Sequence, residues 1–306
     1  MKIVYFGTPE FAVASLKALL NHPFEMVAVV TSPDRPAGRG MMTQMSAVKA
    51  FAIEHQLKIL QPANLKDISF LDELRALNAD LFIVVAFRML PALVWDMPPL
   101  GTINLHASLL PQYRGAAPIN WAIINGESQT GVTTFKLQHQ IDTGNILLQK
   151  TIDILSTDNA GTLHNKLMIE GAQLLVETVS QLEAKTIVEK TQIHLDNLKL
   201  APKIFTTTCE INWSQSAKQI HQLVNGLSPY PAAFTFLNKK KLKILKTSYQ
   251  IETHQLMVGN ILSDNKIYLK FACNDGFVFV EELQLEGKKR MKVDEFLRGN
   301  KINPSA

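Results

Sequence analysis

Cysteine is nearly absent, with Cys209 and Cys273 the only two in 306 residues, and they form no metal-ligand spacing. A disulfide between them stays open from sequence, but a reduced, cytoplasmic protein is the expectation. No stretch approaches 18 uncharged apolar residues, so no transmembrane helix is expected. The run Met1–Phe6 is too short, and too soon broken by Gly7, to act as a signal peptide. It reads instead as a first buried strand. HExxH, GxSxG and paired CxxC motifs are all missing. Gly7-Thr8-Pro9-Glu10 is not GxGxxG and no P-loop lysine follows it, so a dinucleotide site is poorly supported. There is no internal repeat and no low-complexity segment. Apolar residues make up 46% and charged residues 19%, ordinary globular values that allow a real core. The length suits one large domain or, better, two.

The net charge of +4 is unevenly placed. Residues 207–306 hold 14 Lys+Arg against 9 Asp+Glu, while residues 1–206 hold 17 against 18. A basic module beside a near-neutral one suggests contact with a polyanion, although a merely solvated basic surface explains the charge equally well. The texture also changes along the chain. Strand candidates at Lys2–Phe6, Met26–Val30, Leu81–Ala86 and Thr102–Leu105 alternate with helical patterns at Glu10–Leu20, Ala47–His55 and Asp67–Leu77. That alternation argues for an α/β, doubly wound parallel sheet, whose ligands sit beyond the carboxyl ends of the strands. Gly131–Leu137 and Asn145–Ile152 read as a strand pair, and Thr162–Glu183 as a long helix. Residues 184–206 are mixed and polar, and read as a linker. After a helix at Ser216–Asn225, short strands at Ala233–Leu237, Leu242–Ser248, Lys266–Ala272 and Phe277–Leu285 suit a small β-barrel.

Three segments could carry chemistry. Asn104-Leu105-His106 lies at a strand end, where alternation turns Asn104 and His106 to one side. An amide and an imidazole side by side could serve a developing oxyanion, though the spacing alone more often marks a hydrogen-bonded turn. Asp142-Thr143-Gly144 could present a carboxylate on a loop, or be a tight turn with Gly144 supplying positive φ. Aspartic proteases need two such motifs, and only one occurs. Arg35-Pro36-Ala37-Gly38-Arg39-Gly40 is a basic loop fit for phosphates, or a solvated surface loop.

Taken jointly, the motifs resemble those of the methionyl-tRNA formyltransferase family. Phe6-Gly7-Thr8-Pro9-Glu10-Phe11-Ala12 matches the family's opening, and 35–40 its inserted loop. Asn104–Pro111, with Tyr113-Arg114-Gly115-Ala116-Ala117-Pro118-Ile119, matches the signature around its catalytic Asn and His. Ile141-Asp142-Thr143-Gly144 matches its catalytic Asp segment, and Ile211-Asn212-Trp213-Ser214 the start of its C-terminal domain. The resemblance covers nearly the whole chain. It implies a Rossmann-like formyltransferase domain over 1–183, a linker over 184–206 and an OB-like β-barrel over 207–306 that helps to hold tRNA. It also implies 10-formyltetrahydrofolate as co-substrate, no metal, methionyl initiator tRNA as acceptor, and a monomer.

By the same resemblance, Asn104, His106 and Asp142 are the catalytic candidates. Ser108, Leu109, Leu110 and Pro111, with Phe87 and Met89, are the folate candidates, and Arg35 and Arg39 the tRNA candidates. Two departures stand out. Met41 and Met42 follow the loop where the family carries lysines. The folate wall reads Ala86-Phe87-Arg88-Met89-Leu90-Pro91, one residue shorter than the family's. Rivals are a formyltransferase acting on a nucleotide sugar or glycinamide ribonucleotide, a catalytically silent RNA-binding protein, and a nicotinamide dehydrogenase that lacks its fingerprint.

Overall fold

The computed structural model describes residues 1–37, 42–193 and 196–302. In chain order it gives β1 (Lys2–Gly7), α1 (Glu10–Leu20), β2 (Glu25–Val30), β3 (Arg35–Ala37), β4 (Met42–Gln44), α2 (Ala47–Glu54), β5 (Ile59–Leu60), α3 (Ile68–Ala76), β6 (Leu81–Val85), α4 (Ala92–Trp95), β7 (Thr102–His106) and β8 (Arg114–Gly115). Then come α5 (Pro118–Ile124), β9 (Gln129–Lys136), β10 (Ile146–Asp153), α6 (Ala160–Glu183), β11 (Leu200–Ala201) and α7 (Ala217–Leu227). The last part holds β12 (Ala233–Leu237), β13 (Lys240–Ile251), β14 (Ile261–Ser263), β15 (Leu269–Cys273), β16 (Gly276–Leu285), β17 (Met291–Lys292) and α8 (Val293–Gly299). The chain divides into two compact units. The first takes Met1–Gly115, Thr130–Ile152 and His164–Leu200, and the second Ala116–Gln129, Asp153–Leu163 and Ala201–Ala306.

The first unit is built on a seven-stranded sheet of order β10-β9-β7-β6-β1-β2-β5. β1 reads Ile3-Val4-Tyr5-Phe6, and all four side chains are fully buried. Such a continuous apolar run suits a central strand covered on both faces. It pairs in parallel with β2 on one side and β6 on the other. The chain therefore builds outward through β2 and β5, then crosses back to β6 and β7. The reversal beside β1 is the topological switch point, where the carboxyl ends of an open sheet form a crevice. The strands read as parallel from sequence, β1, β2, β6 and β7, pair in parallel, and β9, the first of the expected strand pair, adds to β7 in the antiparallel sense.

The helices owe their ends to local chemistry. α1 carries Glu10 in its first turn and Lys17 in its last, each complementing the helix dipole. Ser46 caps α2 by accepting the Lys49 N–H at 3.0 Å. Phe6, Phe82, Val84, Phe70, Leu71 and Leu74 make one core cluster of this unit.

The second unit packs α7 against an antiparallel sheet of order β12-β13-β16-β15-β14, with β17 on β16. Ile220, Val224, Leu242, Ile244, Phe271, Val278, Leu283 and Phe296 fill its core. Bulges near Ile244 and Lys246 bend the long β13, which gives this sheet the OB-like, half-barrel form. Trp213 stacks on Phe271 with ring centroids 4.2 Å apart. A capping box, Ser216 with Gln219, starts α7. The strand expected at Lys266–Ala272 begins only at Leu269. Asp264 accepts the N–H groups of Lys266, Ile267 and Tyr268, so those residues form a turn instead.

Candidate active site

β7 ends at the carboxyl edge of the sheet, next to the switch point. In its ladder Asn104 lies opposite Val84 and Phe135, and His106 opposite Thr133. The strand's two-residue period puts both side chains on one face, as expected from sequence. His106 is 8% exposed. Its Nε2 lies 2.9 Å from the Tyr113 carbonyl oxygen. A carbonyl only accepts, so Nε2 carries the hydrogen. That leaves Nδ1 as the working nitrogen. Nδ1 stands 3.9 Å from Asp142 Oδ2, close enough for an ion pair but too far for a direct hydrogen bond. Asp142 Oδ2 is held from the other side by the Gly115 N–H at 2.9 Å. Asn104 makes no side-chain hydrogen bond among the described residues, so its amide is available to a ligand. His106 and Asp142 therefore stand together, with Asn104 two residues earlier on the same strand face.

The Asp142 turn differs from expectation in one detail. The positive φ falls on Asp142, at 54°, and not on Gly144. Aspartate tolerates this conformation better than most residues. Gly144 is required for another reason: a Cβ there would stand 1.7 Å from the Lys136 carbonyl oxygen. The close approach of two backbones, rather than a left-handed turn, selects glycine.

The stretch expected as a linker fastens this turn. Lys190 and Ile146 exchange both backbone hydrogen bonds, each at 2.8 Å. Gln192 Nε2 donates to the carbonyls of Asp142 at 2.9 Å and Gly144 at 2.8 Å. Arg114 in turn donates to Gln192 Oε1 through Nε at 3.1 Å and Nη2 at 2.6 Å. Sequence reasoning did not single out Gln192, and it used Arg114 only as part of a motif. Nothing local marks Gln192, because its partners lie some 50 positions away.

Lys136, at 2.5 Å, and Asn145, at 3.0 Å, hold the Glu189 carboxyl below the ordinary carboxylate range. A carboxyl so depressed contributes stability above its unfolded value, about 4.3 for glutamate, and loses it as pH falls through the lower folded value. The Glu189 side chain is 34% exposed, so solvent screening keeps this contribution small. The Ile146–Lys190 pairing is expected to loosen below about pH 4, and Glu189→Gln to flatten that acid dependence. Amide exchange at Ile146 and Lys190 across the acid range checks it. An unchanged profile in the variant would dismiss the idea.

The folate candidates fall into two groups. Ser108 is fully buried, and its hydroxyl donates to the Gln112 carbonyl at 2.7 Å, so it shapes the loop. Leu110 packs inward on Phe135 and Ile146, while Leu109 and Pro111 are half-buried. Phe87 is half-buried against Phe6, with ring centroids 5.7 Å apart, and Met89 is exposed. Arg88, the departure in this wall, reaches back to the carbonyls of Pro62 and Ala63, the latter at 2.9 Å. Burial, and secondarily the like charge of Arg35, lowers its pKa from the ordinary arginine value.

Arg35 is exposed on β3, which pairs with β4. Beside it, Asp34 binds Lys49 at 2.5 Å and Gln61 at 2.9 Å, anchoring the root of the hairpin. Arg39 lies outside the described residues. Among the described residues no group of three or more His, Cys, Asp or Glu side chains could hold a metal ion, and no helix is long and apolar enough to cross a membrane.

An amide, an imidazole and a carboxylate near the switch point of an open α/β sheet have the chemistry a group-transfer site needs. Comparison with known proteins narrows that class. The formyl transferase model matches residues 1–179, the model of the formyl transferase C-terminal domain matches residues 203–301, and the chain belongs to the formyl transferase family. Methionyl-tRNA formyltransferase of Bacteroides thetaiotaomicron is 51% identical over 311 residues, covering 99% of this chain and 97% of that protein. The Parabacteroides distasonis protein of the same name is 53% identical, covering 98% and 96%. A solved structure, the N-formyltransferase from Helicobacter canadensis with folinic acid and dTDP-3-aminofucose, superposes with a TM-score of 0.69 at 20% identity. It covers 95% of this chain and 100% of that one, and at this identity it speaks for the fold alone.

Proposed function

We infer that this chain transfers a formyl group from 10-formyltetrahydrofolate to the α-amino group of methionyl initiator tRNA. The observation that carries the reading is identity above one half to methionyl-tRNA formyltransferases, sustained along both halves of the chain. The site residues fit a formyl donor, because the unpartnered Asn104 amide sits on the same strand face as His106. Bound at this site, 10-formyltetrahydrofolate supplies an electrophilic formyl carbon.

The acceptor is an α-amine, whose reference pKa of about 7.7–8.0 leaves a usable neutral fraction near neutral pH. Asn104 donates its amide N–H to the formyl oxygen as negative charge develops there, a contribution of about 3–4 kcal/mol for a well-placed donor. His106 adds a second donor through Nδ1. With Nε2–H held by Tyr113, a protonated Nδ1 makes the ring an imidazolium. The Asp142 carboxylate at 3.9 Å balances that charge. Asp142 also accepts the proton released by the amine, directly or through a water, and returns it to the leaving nitrogen. Holding two large substrates together supplies much of the remaining rate.

Leu109, Pro111, Phe87 and Met89 are assigned to the folate side, with the buried Ser108 and Leu110 shaping the loop from within. Arg35 and Arg39 are assigned to the acceptor end of the tRNA. Residues 1–183 serve catalysis, 184–206 connect the two modules and fasten the Asp142 turn, and the basic 207–306 module holds tRNA. A cytoplasmic monomer fits these roles. Arg35→Ala is expected to raise KM for methionyl initiator tRNA about tenfold, the loss of roughly one charge-assisted contact, with kcat little changed. An unchanged KM would remove Arg35 from tRNA recognition. The reading itself is tested by offering 10-formyltetrahydrofolate with initiator and elongator methionyl-tRNAs and measuring formyl-methionine on each. Formylation of the initiator alone is expected. Formylation of neither would overturn it.

A further inference from the structure

We propose that Gln192, locked by Arg114, is a positioning residue that sets the place of the Asp142 carboxylate. The inference rests on the reading of Asp142 as a catalytic group. Its basis is a three-layer hydrogen-bonded stack within the first unit.

Asp142 sits at a backbone φ of 54°, in the left-handed region that side-chain-bearing residues seldom adopt. Such a conformation persists only where surrounding contacts over-determine it. Gln192 supplies two of those contacts. Its amide NH2 is divided between the carbonyl of Asp142 and that of Gly144, one on each side of Thr143. A single planar amide thereby clamps both ends of the turn. The same amide's oxygen accepts two N–H groups from Arg114. This fixes which end of the Gln192 amide faces the turn, since a flipped amide would set its NH2 against a guanidinium that has only donors.

Arg114 stands between two groups that hold the catalytic pair. The preceding residue, Tyr113, offers the carbonyl that holds His106 Nε2, and the following residue, Gly115, offers the N–H that holds Asp142 Oδ2. The clamp therefore links the backbone segment that orients His106 to the turn that presents Asp142. The 3.9 Å separation of Nδ1 and Oδ2 is the quantity it sets. The segment carrying Gln192 is itself pinned upstream by the Lys190–Ile146 pairing. Downstream, the Lys199 N–H donates to Gln112 Oε1 at 2.8 Å.

Four variants separate this role from general support of the fold. Gln192→Ala is expected to lower kcat about tenfold to a hundredfold, as misplacement of a reacting group by about an ångström does, with KM for tRNA unchanged. Gln192→Glu keeps an acceptor for Arg114 but cannot donate to the two carbonyls, so it should fail to rescue kcat. Activity near the parent level in Gln192→Glu would overturn the proposal. The third measurement repeats Gln192→Ala in an Asp142→Asn background, at high enzyme concentration. If Gln192 acts through the Asp142 carboxylate, the second substitution adds little. An equal further loss in that background would show general structural support and overturn the proposal. Asp142→Asn alone at full turnover would overturn the reading of Asp142, an outcome read separately from the effect of Gln192.

Discussion

His106→Ala is expected to lower kcat for formyl transfer by about 10²–10³, the loss measured when one oxyanion donor is removed from a preorganised site. Binding of methionyl initiator tRNA should stay within about twofold, since the affected contact forms mainly as charge develops in the transition state. The expectation follows from placement. His106 is 8% exposed, its Nε2 is taken by the Tyr113 carbonyl, and its Nδ1 is the nitrogen left to face the reacting groups. Asn104→Ala should give a loss of similar order. The double variant should lose less than the product of the two, because donors serving one oxygen act as a unit. Single-turnover formylation with separately measured tRNA affinity decides the matter. Equal loss of affinity and turnover would assign His106 to binding rather than to chemistry.

The second large effect concerns the wall behind that histidine. Phe135 is fully buried and packs with Leu110 and Ile146, and its ring meets His106 edge-on at 6.4 Å. Phe135→Ala removes a whole aromatic side chain from this packing, at a cost of about 3–5 kcal/mol. Phe135→Leu keeps most of the volume and should cost less than about 1.5 kcal/mol. Chemical denaturation of the two variants reads the difference directly. Turnover should fall with the alanine more than with the leucine, since a cavity there lets the imidazole shift against Asp142. Equal stabilities for the alanine variant and the parent would contradict the packing.

Much of the first unit was legible because its signals are local. β1 shows as four consecutive apolar residues after Lys2, and α1 as an amphipathic run bounded by Pro9 and Asn21. Asn104 and His106 were legible as a pair because strand alternation is a property of the backbone itself. Other elements were not. α5, at Pro118–Ile124, is a seven-residue helix that is nearly all apolar, so it shows no polar face for periodicity to detect. α8, also seven residues long, is too short for the same test. β15 begins three residues late because one aspartate side chain claims the backbone donors of the segment before it.

By itself the sequence determined the strand and helix alternation of the first half, the strand-rich basic module after it, and the ordered motifs that name the family. Each is written in neighbouring residues. Tertiary structure alone decided that β9 runs antiparallel to β7, that Nδ1 is the free nitrogen of His106, and that Gly144 is needed for a close approach. It also brought Gln192 and Arg114 to the Asp142 turn. These outcomes depend on hydrogen bonds and steric contacts formed only when the chain closes on itself. Hydrophobic periodicity reports which face of an element is buried, and carries no record of the distant partner that meets it.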